Sequence, residues 1–220
     1  MLMSESIIEF IQKYSWLSLV VILIFGWFQP ILMFIAFICM IGPVVFSFKY
    51  GRAWCGNFCP RGSFNNNILK IISPNKSLPN ILKKPIIRLF TFIALMTLFT
   101  YSILNTNGSL WGIGIVFIKM MAITTLIEIC MGVLIHHNSW CTICPMGTVA
   151  STITKITGKT EGVITISDKC TNCQTCVSLC PMQINIPKYQ KTGKVTASDC
   201  MKCRKCINYC KQDALQWKMD

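Results

Sequence analysis

The stretch CTNCQTCVSLCP, Cys170 to Pro181, is followed at Cys200 to Cys210 by CMKCRKCINYC, and this pair decides what kind of domain ends the chain. Each copy places cysteines at i, i+3, i+6 and i+10, and Cys200 follows Cys170 by 30 residues. Three cysteines at three-residue intervals can wrap one face of a metal–sulfur cube from a tight loop. Thiolates in a C-x2-C-x2-C-x3-C-P run hold 4Fe–4S cubes. The fourth cysteine lies beyond the loop and is better placed to reach the partner cube. The spacing thus assigns Cys170, Cys173, Cys176 and Cys210 to one cluster (A), and Cys200, Cys203, Cys206 and Cys180 to the other (B). A zinc ribbon takes its ligands as two C-x2-C pairs, and these triplets leave one cysteine over in each half. Lys211 stands where the first copy has Pro181, which removes no ligand.

This double run resembles that of the bacterial two-cluster ferredoxins, and it implies a small α+β domain over residues 160–220. Upstream the chain has another character. Of its 220 residues 53% are hydrophobic, and its mean hydropathy is positive, too apolar for a soluble domain of this size. From Trp16 to Phe48 the few polar side chains are Ser18, Gln29 and Ser47. A membrane span needs about 20 apolar residues. Two spans fit if the first begins near Ile7, with Glu9, Gln12 and Lys13 reaching water at the interface and Gln29–Pro30 as the turn. Ile86–Leu104 and Leu110–Ile135 supply a third and a fourth. The expected fold is an all-α transmembrane domain of four helices over residues 1–155, arranged as two duplicated hairpins, followed by the ferredoxin domain.

Charge gives the orientation. Lys49, Arg52, Arg61, Lys70, Lys76, Lys83, Lys84 and Arg88 fall in one loop without an acid, whereas Asn105–Ser109 is uncharged. Cytoplasmic loops carry the excess of Lys and Arg. Both termini and the clusters are therefore expected on the cytoplasmic side of a prokaryotic inner membrane. No basic leader or small-residue cleavage site reads as a removed signal peptide. Fourteen cysteines facing a reducing compartment suit metal ligands better than disulfides. The formal charge of +13 does not require a nucleic-acid partner. Each oxidised cube with four thiolates contributes about −2, and the basic loop lies beside anionic lipid.

A second repeat lies inside the apolar half: WCGNFCPRG at Trp54–Gly62 and WCTICPMG at Trp140–Gly147. Each follows a helix pair, and each ends in proline, one residue, then glycine. Cys55, Cys59, Cys141 and Cys144 could meet at the cytoplasmic face as ligands of a third 4Fe–4S cluster, as a redox-active dithiol, or as structural thiols. Haem c is not expected, because no histidine follows the C-x2-C of Cys141 and Cys144.

With these motifs the chain resembles the NapH/NosR/CcoG group of membrane-bound ferredoxin-type proteins, and in architecture its NapH type most. The large periplasmic flavin-binding domain of the NosR type is absent, so no flavin is expected in this chain. The group's membrane motifs are usually C-x3-C-P, whereas the second one here is C-x2-C-P. The resemblance implies electron transfer between a cytoplasmic carrier or the quinone pool and a membrane or periplasmic redox partner bearing flavin or haem. In some members it implies maturation of a metalloenzyme. An electron-transfer subunit, a quinol dehydrogenase and an accessory factor thus remain open.

Three more residues are candidates for proton or quinone handling. Glu128 lies within the fourth span, where a carboxylate is costly unless protonated, paired or facing water. It is read either as a proton acceptor or as a neutral acid bonded to a neighbouring helix. Lys119 lies about 14 Å up the same helix on nearly the opposite face, so it is not the partner. His136 and His137, the only histidines, directly precede the second cysteine motif. Cys39 and Cys130 read as packing residues.

Overall fold

The computed structural model describes residues 5–29, 32–158 and 161–218. α1 (Glu5–Tyr14) continues through Ser15, which keeps helical dihedrals, into α2 (Trp16–Phe25). The chain turns after Phe25; Pro30 of the expected turn lies outside the described residues. α3 (Met33–Tyr50) returns and ends at Gly51, whose φ of 61° lets the chain reverse. Two short helices follow, α4 (Ala53–Asn57) and α5 (Pro60–Phe64). Next come a π-helical turn over Asn65–Leu69, α6 (Lys70–Ile72) and α7 (Asn80–Lys83). The second pair is α8 (Pro85–Leu104) and α9 (Leu110–Leu134). Pro85 opens α8 at a position where its missing N–H costs nothing, and the Ser109 hydroxyl caps α9 by accepting from the Gly112 N–H. α10 (Ser139–Ile143) and α11 (Pro145–Thr157) close the helical part.

Three described helices are long and apolar enough to cross a membrane: Ser6–Phe25, Pro85–Leu104 and Leu110–Leu134. Their outer faces carry exposed apolar side chains such as Phe90, Leu98, Ile123 and Leu126, as lipid contact requires. The remaining expected span is shorter. α3 has 18 residues with Pro43 inside, and its apolar described stretch is Ile35–Tyr50. At 1.5 Å per residue it reaches about 27 Å, a little under the hydrocarbon thickness. The helical N-terminal part is thus suited to a membrane, and a smaller part follows it at the C-terminus.

That C-terminal part pairs β1 (Val163–Ile166) antiparallel with β2 (Leu215–Lys218), matching Val163 to Lys218 and Ile166 to Leu215. Two one-turn helices, α12 (Thr175–Ser178) and α13 (Lys205–Asn208), follow the cysteine loops. Ile164, Ile166, Ile186, Val195, Cys206 and Leu215 form the core. The 30-residue repeat is visible in the backbone. Positive φ occurs at Asn172, Gln174 and Gln183, and again at Lys202, Arg204 and Asp213. Each such residue costs about 1–2 kcal/mol in isolation, so the loop must have a reason to hold it. Alternation of right- and left-handed residues turns successive N–H groups into one concavity, the form that binds anionic sulfur.

The two parts are joined by buried charge. Asp199, beside Cys200, accepts from Arg52 Nη1 at 2.9 Å and from Arg88 through both fork nitrogens at 2.8 and 2.9 Å. Ser151 of α11 donates to the same carboxylate at 2.9 Å. Burial opposes ionisation of Asp199, but these donors and the two cations hold its carboxyl below the ordinary carboxylate range. Gly56 sets the closeness of the joint, since a Cβ there would lie 2.2 Å from the Met201 carbonyl oxygen and 3.1 Å from Cys203 Cβ. Gly56→Ala is expected to cost about 1–3 kcal/mol through overpacking. Limited proteolysis should then release the C-terminal domain faster than in the parent protein.

Candidate functional site

Both cysteine–proline motifs present their second cysteine in the same way. Cys59 caps α5 at φ −68°, ψ 119°, and Cys144 caps α11 at φ −53°, ψ 129°. The following proline forces this, because it excludes helical dihedrals from the residue before it. The motifs differ by one residue in length, yet the chain enters the next helix at the same angle. The motif glycines also share a task. A Cβ on Gly62 would meet the Cys55 carbonyl oxygen at 2.5 Å, and one on Gly147 the Cys141 carbonyl oxygen at 3.4 Å. In each half the exit helix folds back onto the carbonyl of the first cysteine.

The four thiols come together. Cys55, Cys59 and Cys141 are buried deeply enough that desolvation raises each pKa, and neighbouring members of the quartet raise it further. Cys144 acts on both Cys55 and Cys141. Such thiols resist ionisation alone, whereas metal ligation deprotonates them outright. Arg52, whose charge acts on Cys55, Cys141 and Cys144, keeps a buried Nε without a protein acceptor, and the Trp140 indole N–H next to Cys141 in sequence is likewise buried and unpaired. Those are the groups that a sulfide-bearing cluster would satisfy, so the residues fit one.

In the C-terminal part Cys170, Cys173, Cys176 and Cys210 line one small cavity. Cys180, Cys200, Cys203 and Cys206 line another. Each cavity thus gathers three cysteines of one run and the last cysteine of the other. Among the described residues no three Cys, His, Asp or Glu side chains close on a point that would suit a single ion. Four sulfurs around a cavity suit a cube instead. All fourteen cysteines are free.

Glu128 is fully buried, and its partners come from the first cysteine motif and the turn just after it. Asn65, at the head of the π turn, donates to Glu128 Oε1 at 2.7 Å, and the same Nδ2 lies 3.3 Å from Cys141 Sγ. Arg61 Nε stands 3.7 Å from Glu128 Oε2. The Arg61 guanidinium also donates to the Met121 carbonyl and to the Thr124 and Thr125 hydroxyls, and it lies over the Trp140 ring at 5.7 Å. Lys119 has no part in this set. The sequence reading missed Arg61, Asn65, Arg52 and Asp199, although Arg52 and Arg61 bracket WCGNFCP and Asp199 directly precedes a ligand cysteine.

The histidines sit elsewhere. Their rings stack at 4.2 Å, His137 Nδ1 meets Asn75 Oδ1, and His136 Nδ1 accepts from the Asn138 N–H at 3.1 Å. Burial, then nearby positive charge, lowers their pKa values to about 4 and about 3, so both are neutral at physiological pH. An apolar cavity between α2, α3, α8 and α9 ends on Cys59, Arg61, Thr124 and Trp140, and neither histidine lines it.

A family model described as a 4Fe-4S binding domain matches residues 32–79 and again 120–163, so each match takes in one cysteine–proline motif. A 4Fe-4S dicluster domain model matches residues 162–211. The ferredoxin-type protein NapH of Escherichia coli is 30% identical over 89 residues, 36% of this chain and 29% of that protein. The two 4Fe-4S family models and this likeness to NapH together support a NapH-like membrane ferredoxin-type family for the chain. An uncharacterized protein of Methanocaldococcus jannaschii is 26% identical over 178 residues, 79% of this chain and 67% of that protein. No solved structure matches. The 4Fe-4S domains, the apolar helices and the likeness to NapH support a membrane-bound iron–sulfur protein of electron transport.

Asn65 holds Glu128 and Cys141 together, so its loss should be felt at both. Asn65→Leu is expected to cost about 1–3 kcal/mol by leaving a buried carboxyl without its nearest donor. Thermal unfolding in detergent should show the loss, with a change in reactivity of the Cys141 thiol in protein stripped of metal.

Proposed function

We propose that this chain relays single electrons between a cytoplasmic carrier and a membrane-proximal site or partner redox protein. Cys170, Cys173, Cys176 and Cys210 would hold one 4Fe–4S cluster, and Cys180, Cys200, Cys203 and Cys206 a second. Cys55, Cys59, Cys141 and Cys144 would hold a third. When bound, such clusters supply one-electron storage at a potential set by their surroundings. The chain supplies the rest. It shields most of the thiols, Cys173 excepted, turns its left-handed loops' N–H groups toward the cysteines, and keeps the sites adjacent.

The carrying observation is contiguity. Cys141, Met182 and Met201 form one buried group against which Cys55 and Cys180 pack. Two members of the membrane quartet and one ferredoxin cysteine therefore pack on one shared hydrophobic group. The basic Lys49–Arg88 loop and the uncharged Asn105–Ser109 turn support a cytoplasmic placement of that group and of both termini. Four spans remain the proposed topology, with α3 as the short one.

Iron and acid-labile sulfide per polypeptide, counted in anaerobically purified protein, test this reading. We expect about twelve irons, falling to about eight when Cys55 and Cys141 are both replaced by alanine. Eight in both proteins would remove the third cluster and leave a dithiol at the membrane face.

A quinol dehydrogenase is the second reading, and the apolar cavity above Arg61 favours it. The cavity reaches between the spans, and at its floor the guanidinium and Thr124 offer polar anchors. Arg61 leads from there to Glu128 and Asn65, and so to Cys141. Ala36 lines the cavity and is buried. Ala36→Phe should abolish reduction of the protein by a soluble quinol while leaving reduction by dithionite intact. Unchanged quinol-driven reduction would exclude this cavity as the site.

A further inference from the structure

Arg52 is the buried cation that touches both halves of the proposed electron path. Its side chain is 1% exposed. One nitrogen, Nη1, donates to Asp199 beside Cys200, and the other, Nη2, donates to the Cys141 carbonyl at 2.9 Å. Its charge also acts on Cys55 and Cys144. The third nitrogen, Nε, is buried without a protein acceptor. The chain makes room for this guanidinium at the glycine of the second motif. A Cβ on Gly147 would stand 2.6 Å from Arg52 Nη2, so that glycine gives passage to the arginine. The corresponding position before Trp140 is Asn138, so the two motifs share one arginine between them.

A cation in this place does more than pack. A cluster with four thiolates is anionic, and reduction adds another negative charge. A fixed positive charge nearby in a low-dielectric interior favours the reduced form and raises the potential. Asp199 works against it, partly cancelling the field. Arg88, bonded to the same carboxylate, keeps Asp199 ionised and in place.

We propose that Arg52 is a positioning residue that holds the membrane cysteine quartet against the second ferredoxin motif and raises the reduction potential of the cluster bound there. This rests on the iron–sulfur relay reading above. Arg52 and Asp199 then form a matched pair with opposite effects: removal of the cation lowers the potential, and removal of the carboxylate raises it.

The experiment is a potentiometric titration, followed by electron paramagnetic resonance, of full-length protein in detergent under anaerobic conditions. The parent is compared with Arg52→Gln, Arg52→Lys and Asp199→Asn, each with its iron counted. We expect Arg52→Gln to shift a midpoint potential negative and Asp199→Asn to shift it positive, at unchanged iron content. Arg52→Lys keeps the charge and should restore most of the Arg52→Gln shift. Shifts of the same sign, or none, in Arg52→Gln and Asp199→Asn would overturn the proposal. So would a Lys variant as displaced as the Gln variant, which would reduce Arg52 to packing. If Arg52→Gln loses iron, the sign of the Asp199→Asn shift decides alone. An iron count of eight in the parent would overturn the third cluster and this proposal with it, whereas absent or same-sign shifts at twelve irons would overturn this proposal alone.

Discussion

Asp199 is the pivot of the structure. Its carboxylate, with the guanidinium groups of Arg52 and Arg88, is taken largely out of water where the ferredoxin part meets the helical part. Removing three charges from solvent costs several kcal/mol per ion before any pairing is counted. The cluster of charges is therefore a weak source of net stability. It is a strong source of alignment, because a rigid fork on a carboxylate tolerates little displacement. Arg52 leaves α3, Arg88 opens α8 and Ser151 belongs to α11, so one carboxylate fixes three membrane-side elements against the loop that begins at Cys200. Slide that loop by a residue and each charge is stranded.

How far this arrangement could be read from the sequence follows from the range of the interactions. The ferredoxin loops are local: ligands at three-residue intervals dictate the wrap, and even the left-handed residues recur at the same 30-residue offset. The spans are nearly local too, since hydropathy and length decide them. α3 is the exception, for a run from Trp16 to Phe48 does not say where the turn divides it. The partners of Glu128 were beyond local reach. Asn65 and Arg61 lie more than 60 residues away, and only the fold-back of α5 brings them to α9. The π turn that begins at Asn65 widens the backbone there, a distortion found often at functional sites.

The two cysteine–proline motifs show which parts of a duplicated element are constrained. Proline, the capping cysteine and the glycine keep their geometry through a difference of one residue between the cysteines. The residues before and after them have diverged. Arg61 in the first motif makes a pair with Glu128; Met146 takes that place in the second and lines the apolar cavity. Arg52 precedes the first motif; a buried Asn138 precedes the second. Scaffold is repeated, and charge is placed once.

That asymmetry changes the meaning of the basic loop. By sequence its eight cations read as a face for anionic lipid, and for some of them this is the natural reading. But the chain has only eight acidic residues, and three of them, Glu128, Glu161 and Asp199, are spent on this loop. Lys49 pairs with Glu161 at 3.3 Å, Arg61 with Glu128, and Arg52 and Arg88 with Asp199. Three of the loop's cations, Arg52, Arg61 and Arg88, thus face inward, while Lys49 makes its pair at the surface. A positive-inside signal and an electrostatic environment for anionic clusters require the same residues on the same side of the membrane. One stretch of sequence can meet both demands, which is why charge counting alone yields an expected orientation and overlooks the site.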